Sequence, residues 1–146
     1  MVVTNADPGR QFVRSINAEP AAVEYARIVG KNPDELDQFT FAAHPVVVRI
    51  GGSHHVWPIL QVNTDGEMVF YAAIDEGMVL TVAKAERIST HLETNWPNCQ
   101  RPGHYWISLG ADCILRRIEA EQVQVTRQLS QILADNKVVG FSTYGE

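Results

Sequence analysis

Two adjacent arginines lie late in the chain, where a β-branched pattern gives way to a helical one. Arg116 and Arg117 directly follow the apolar run Cys113–Leu115. A guanidinium is planar and matches the paired oxygens of a carboxylate or phosphate. At a helix N-terminus its charge opposes the helix dipole, so an acidic side chain or a bound anion would favour it there. A solvated pair just before the helix start is the alternative, and both interpretations stay open at this stage.

Two adjacent acidic residues are the next candidates for chemistry. Asp75 and Glu76 lie in a predicted turn, where acidic residues are common for local backbone reasons. Their carboxylates could also receive an ammonium or guanidinium group.

The histidines and cysteines do not predict a metal site. His54 and His55 are adjacent on a predicted strand and would point to opposite faces. With a turn at residues 51–52, His54 would lie opposite Arg49 as a solvated polar pair. The remaining candidates match no familiar zinc spacing. They are His91, Cys99, His104 and Cys113.

No pattern for covalent or acid–base catalysis is present. The sequence has no Gly-x-Ser-x-Gly element, no phosphate-binding loop and no His-Glu-x-x-His. We therefore predict a protein that is not an enzyme.

Composition narrows the classes of partner. The chain has 146 residues, 45% of them hydrophobic, and a net charge of −5. Nucleic-acid binding needs clustered basic residues, so none is expected. No apolar stretch reaches the 18 residues or so that would cross a membrane, and no signal peptide is evident. Two cysteines are too few for a disulfide framework, which favours the cytoplasm. Cys113 is expected to be a buried apolar residue and Cys99 an exposed thiol.

The first half of the chain predicts a lead-in, two short helices and a β-meander. Residues 1–15 are expected to be flexible. A helix should run between Pro20 and Gly30, and a second over residues 33–39. Strand patterns then follow, with a Gly-Gly hairpin turn between the first two. They cover residues 46–50, 56–62, 68–74 and 78–83. The last two strands have apolar residues on both faces, so we expect both faces to be covered.

The second half alternates helix and strand. A helix is predicted over residues 85–94, and a strand bent around Gly110 over residues 105–115. One long helix follows, with an apolar stripe and a stop at Asn136. The stripe consists of Ile118, Val125, Leu129, Ile132 and Leu133. A last strand covers residues 138–141, and the fold class is α+β.

Several strings, taken in order, resemble a known family. They are residues 44–51 (His-Pro-Val-Val-Val-Arg-Ile-Gly), residues 70–80 with Ile-Asp-Glu-Gly, a Cys-x-x-x-Arg element at 113–117, and Gly-Phe-x-Thr-Tyr-Gly-Glu at 140–146. The set is similar to the C-terminal half of the FIST sensory domain (F-box and intracellular signal transduction proteins). The opening from Ile16 fits as well, so the resemblance covers residues 16–146.

The resemblance implies a small-ligand-binding sensory domain of a bacterial signal-transduction protein. Family members stand alone or join proteins such as histidine kinases, and amino acids have been proposed as ligands. A zwitterionic amino acid needs both charge types in one pocket. On this implication the candidate ligand-binding residues are Arg49, Asp75, Glu76, Arg116 and Arg117. No cofactor is predicted on this hypothesis.

Two further hypotheses stay open. One branch of the family looks like a haem-binding nitric oxide sensor, and no histidine of this chain ranks above the others as an axial ligand. The candidates are His44, His54, His91 and His104. The other hypothesis is an interaction module whose apolar sheet faces dock a signalling partner and the N-terminal FIST half. That half is absent from this chain, so we expect an excised domain.

Overall fold

The computed structural model describes residues 1–84, 86–99 and 107–143. They form two compact units, Met1–Ala85 and Glu86–Glu146. Both units mix strands with helices, as the α+β class predicts. None of the helices in the described part of the chain is long and apolar enough to cross a membrane.

The first unit begins with strands. β1 (Val3–Asp7) and β2 (Phe12–Ile16) form an antiparallel hairpin, and β3 (Glu19–Pro20) folds back on β2. Val3 and Val13 are buried, so this hairpin is part of the core. The lead-in expected to be flexible over residues 1–15 therefore lies in a folded hairpin, because Val3 and Val13 supply apolar side chains to the core.

Three helical segments follow instead of the two short helices predicted. α1 (Ala21–Val29) begins after Pro20 and ends at Gly30, whose φ of 72° is the left-handed conformation that glycine favours. The single helix predicted over residues 33–39 is instead a 3₁₀ turn (Pro33–Glu35) and a separate helix, α2 (Gln38–Ala43). Asp37 separates them because its carboxylate caps α2 by accepting a 2.8 Å hydrogen bond from the Thr40 N–H.

The predicted meander divides between two sheets. Its strands are β4 (Val46–Ile50), β5 (Ser53–Val56), β6 (Ile59–Val62), β7 (Met68–Phe70) and β8 (Leu80–Val82). The β4–β5 hairpin turns through two glycines and places Arg49 opposite His54, as predicted. One sheet has the order β5-β4-β8, and the other has the order β1-β2-β7-β6.

The N-terminal hairpin explains why β7 and β8 do not pair. β7 takes β2 as a neighbour, and the Phe70 N–H donates to the Gln11 carbonyl at 3.0 Å. β8 takes β4, and the Leu80 N–H donates to the Met1 carbonyl at 2.8 Å. Between them the chain crosses the core, where Ile74 is fully buried. The N-terminal segment thus hydrogen-bonds to β7 and β8, which would have paired with each other in a four-strand meander.

The second unit is built around a parallel strand pair. It consists of α3 (Ile88–Cys99), β9 (Ser108–Cys113), α4 (Ile114–Gln122), α5 (Thr126–Asp135) and β10 (Val138–Thr143). β9 and β10 pair in parallel without a register shift. The bend predicted at Gly110 is therefore absent, while residues 105–106 of that predicted strand lie outside the described residues. Parallel neighbours need a crossover, and α4 and α5 provide it.

The prediction of one long C-terminal helix is wrong, because the helix is interrupted between α4 and α5. Gln124 has a φ of 56°, which no helix interior allows, and the Val125 N–H donates to the Ala120 carbonyl at 3.0 Å. Residues 122–125 alternate polar and apolar side chains, which is not a helical period. The break still lets both helices bury one apolar cluster, which contains Ala120 and Leu129 together with Ile88 of α3.

A buried carboxylate holds α1 against the N-terminal strands. Glu24 is 4% exposed and accepts hydrogen bonds from Arg27 Nε at 2.7 Å and Asn17 Nδ2 at 2.8 Å. Asn17 exchanges two further hydrogen bonds with the Val2 backbone, each 2.8 Å long. The hydrogen bond from Arg27, then that from Asn17, lowers the pKa of Glu24 to about 2.

We predict that Glu24 makes folding acid-sensitive. Because its folded pKa lies below the ordinary value of 4.5, its stabilising contribution is complete above pH 4.5 and is lost as the pH falls towards 2. Urea unfolding at pH 7 and at several values between 4.5 and 2 should show a steeper decline in wild type than in Glu24→Gln. Glu19→Gln, at an exposed position of β3, is the matched control and should keep the wild-type slope. Equal slopes in all three proteins would contradict this assignment.

Candidate functional site

The second unit contains a cleft of about 540 Å³ between the β9–β10 pair and the three helices. Its lining is contributed by every described element of the unit. From the strands come Gly110, Ala111, Asp112, Val138, Gly140, Phe141 and Ser142, and from the helices Ile88, His91, Leu92, Arg116, Arg117, Leu129 and Leu133. Ligand cavities of proteins fall in the range of about 300–1,000 Å³, so this cleft has the size of a small-molecule site.

The floor of the cleft is exposed backbone. Alternate residues of a strand share a face, which puts Gly110 beside Gly140 in the parallel register. A Cβ atom on Gly140 would overlap the Gly110 carbonyl oxygen, whereas one on Gly110 would meet only Val138 Cγ1, at 3.2 Å. The backbones thus approach closely at this point, and the Val138 side chain borders the Gly110 end of this surface.

The helix walls are mostly apolar. α3 contributes Ile88 and Leu92, and α5 contributes Leu129 and Leu133. Ile88 and Leu129 are 4% and 8% exposed, so they also belong to the core of the unit. A ligand entering this cleft would therefore bury apolar surface against side chains that the fold already holds in place.

One end of the cleft is charged. Arg116 and Arg117 lie in the first turn of α4, as the predicted strand-to-helix junction requires. Arg116 Nε contacts Asp112 Oδ1 at 3.2 Å, and Arg117 Nε contacts Glu121 Oε1 at 3.0 Å. The acidic partner considered from the sequence is thus present in both cases. The partners are about half exposed, and such surface pairs contribute little net stability.

A further carboxyl group lies near the ion pair of Arg116 and Asp112. Glu119 follows Arg116 on α4 and is half-buried. Burial raises its pKa, the charge of Arg116 opposes that rise, and the charge of Asp112 adds to it. Positive and negative groups are therefore close together at the junction of β9 and α4.

The three other candidate residues lie in the first unit. Arg49 is exposed on β4, opposite His54. Asp75 and Glu76 form the predicted turn: the Asp75 carbonyl accepts the Met78 N–H at 3.3 Å, and Glu76 Oε1 accepts the Ala6 N–H at 3.3 Å. None of the three lines the cleft. Their role in ligand binding stays a prediction.

The cleft also contains residues that the sequence did not single out as a site. Gly110 and Gly140 could have indicated the site from the sequence, because a glycine inside a strand often marks a close approach of backbone or ligand. Leu92 and Ser142 carried no such signal. Cys113 is half-buried rather than buried, since it lies at the exposed start of α4. The side chain of Cys99 and all of His104 lie outside the described residues.

Comparison with known proteins identifies the family. The family model of the FIST C domain matches residues 21–146. The chain belongs to the FIST C domain family. No curated protein and no solved structure matches it.

FIST C domains are sensory domains of signal-transduction proteins, and the family is not a catalytic one. Among the residues that the structure describes, no three histidine, cysteine or acidic side chains are grouped to hold a metal ion. The cleft of this FIST C domain combines mostly apolar walls with charged residues at one end.

We predict that the parallel pair tolerates no side chain at Gly140. Gly140→Ala should lower the free energy of unfolding by about 1–3 kcal/mol, because its Cβ would overlap backbone that cannot move without separating the strands. Gly110→Ala should cost less, since Val138 can shift by a few tenths of an ångström. Urea unfolding, with amide hydrogen exchange over residues 108–113 and 138–143, measures both variants. An equal or larger loss in Gly110→Ala would contradict this geometry.

Proposed function

We propose that this FIST C domain senses a small carboxylate-bearing ligand, with amino acids as the leading class, by binding it in the cleft of the second unit. The observation that carries the proposal is the placement of Arg116, Arg117 and Asp112 at one end of a cleft whose other lining residues are mostly apolar. A ligand with a charged head and a carbon body matches that division.

The charged end suits a zwitterion. The Arg116 guanidinium meets Asp112 through Nε, and its terminal nitrogens carry further N–H donors that a ligand carboxylate can accept. The Asp112 carboxylate, 53% exposed, can accept an ammonium group. Because an exposed ion pair contributes little, a ligand that offers both charges can replace it at low cost.

The same pair gives a route from binding to signalling. Asp112 belongs to β9 and Arg116 to α4, so their ion pair joins the strand to the helix that follows it. A ligand that binds better when the pair is open would shift the population of the two arrangements. We place the domain in the cytoplasm, with a signalling protein such as a histidine kinase as the receiver. The exposed apolar face of the strand pair, which includes Leu109 and Val139, is the surface we assign to the N-terminal FIST half.

A ligand screen tests this function. Thermal-shift and calorimetric measurements with amino acids and simple carboxylates should reveal at least one ligand that stabilises the chain. Arg116→Gln should raise the Kd of that ligand roughly 10- to 100-fold, since a hydrogen bond to a charged group is lost. Arg127→Gln, at an exposed position of α5 outside the cleft, is the matched control and should leave Kd unchanged.

Two outcomes would reject the proposal. One is the absence of binding by every amino acid and carboxylate at millimolar concentration. The other is equal weakening by Arg116→Gln and Arg127→Gln, which would indicate a general charge effect rather than contact in the cleft.

Haem binding is the second candidate, and one observation favours it. Of the four candidate histidines, His91 is the one described as lining the cleft. His54 is exposed on β5, and His44 ends α2. An apolar cleft with arginines at one end fits a flat macrocycle with two propionates. His91 would be the axial ligand, and the bound haem iron would supply the gas-binding position.

Titration with hemin tests this candidate. If His91 is the axial ligand, a Soret band should appear in wild type and be lost in His91→Ala, while His54→Ala should retain it. A Soret band that survives in His91→Ala, or no band in wild type, would reject the assignment.

A further inference from the structure

We infer that the ligand of the cleft has an aromatic body: an aromatic amino acid or a closely related aryl carboxylate. The inference rests on the proposed function and narrows its ligand class. It follows from the shape of the floor, the chemistry of the walls and the position of the arginines.

The floor offers a flat, bare surface of the right length. Val138 and Ser142 flank Gly140 on the same face of β10, and their Cα atoms are about 13 Å apart at 3.3 Å per residue. Between them Gly140 adds no side chain, and the Val138 side chain borders Gly110, with its Cγ1 atom 3.2 Å from where a Cβ of Gly110 would lie. A planar ring can lie directly on peptide groups, whereas a branched aliphatic side chain touches a flat surface at few points.

The walls above the floor favour an apolar body over a polar one. Ile88, Leu92, Leu129 and Leu133 offer hydrocarbon and no hydrogen-bond partner in their side chains. A polar ligand side chain packed against these four residues would lose its water without replacement. A ring, by contrast, buries both of its faces, one on the glycine floor and one against the leucines.

The size of the cleft excludes the smallest amino acids as well-fitting ligands. A volume of about 540 Å³ is well above what the methyl group of alanine can fill, and unfilled space forfeits dispersion contacts. An indole or phenyl ring fills more of the cleft while its carboxylate stays at the charged end.

The arginines suit an aromatic carboxylate in two ways. A guanidinium pairs with a carboxylate and also stacks on an aromatic face. Arg116, with a side chain 35% exposed, borders the floor near Asp112 and can orient the head of the ligand. Arg117, 62% exposed, lies nearer the rim. One ring and one carboxylate therefore satisfy the described lining together.

Competition between defined ligands tests the inference. Isothermal titration of the 146-residue chain with L-tryptophan, L-phenylalanine and indole-3-acetate, against L-leucine, L-alanine and L-glutamate, should give at least one aromatic ligand with a Kd about tenfold below that of L-leucine. Gly110→Ala adds a methyl group to the floor and should raise the aromatic Kd about tenfold while changing that of L-leucine less than threefold. Gly9→Ala, where a Cβ meets only Asp7 Oδ1 at 3.6 Å, is the matched control and should change neither.

A measurement on wild type makes the test independent of variant folding. Nuclear Overhauser contacts should join ring protons of the bound aromatic ligand to the α-protons of Gly110 and Gly140. L-leucine or L-alanine binding as tightly as every aromatic ligand would overturn the aromatic body while leaving the proposed function intact. Aromatic binding without those contacts would overturn the glycine floor. Failure of all six ligands to bind would count against the proposed function itself.

Discussion

The parallel pairing of β9 with β10 is the constraint on which the second unit depends. Two parallel strands cannot be joined by a tight turn, so the chain must cross over, and α4 and α5 are that crossover. The crossover covers one face of the strands and brings α3 and α5 together above it. The cleft is the space that remains where the covered face has glycine instead of side chains. Its charged end is the point at which β9 becomes α4.

The first unit depends on a different strand arrangement. Its sheets are antiparallel, and its core is closed by the N-terminal hairpin, which gives β7 and β8 separate neighbours. The network of Glu24, Arg27 and Asn17 then fixes α1 to the start of that hairpin through a buried charge with fully satisfied oxygens. A buried carboxylate is costly unless it is paired and hydrogen-bonded, and this one is both.

Local sequence signals were enough to predict the elements that are bounded by distinctive residues. Pro20 and Gly30 bound α1, the Gly-Gly turn sets the register that pairs Arg49 with His54, and the arginine pair marks the start of α4. The features that could not be predicted depend on long-range partners. Nothing near β7 in sequence indicates that β2 will pair with it. The need for Gly140 is visible only when Gly110, thirty positions earlier, lies beside it. The left-handed Gln124 was missed because an apolar stripe spaced seven residues apart continues across the break. No local sequence pattern predicted the cleft, because its lining comes from five separate elements.

The collision that a side chain at Gly140 would cause has an evolutionary consequence. Selection can enlarge, shrink or charge a binding site only at positions that accept new side chains. In this cleft the strand floor is closed to such changes at Gly140, while the helix positions at residues 88, 92, 129 and 133 are open to conservative exchange. Differences in ligand preference among homologous domains with this strand pair should therefore come from substitutions in the helices. The glycine of β10 would then be inherited unchanged by domains that detect unrelated molecules.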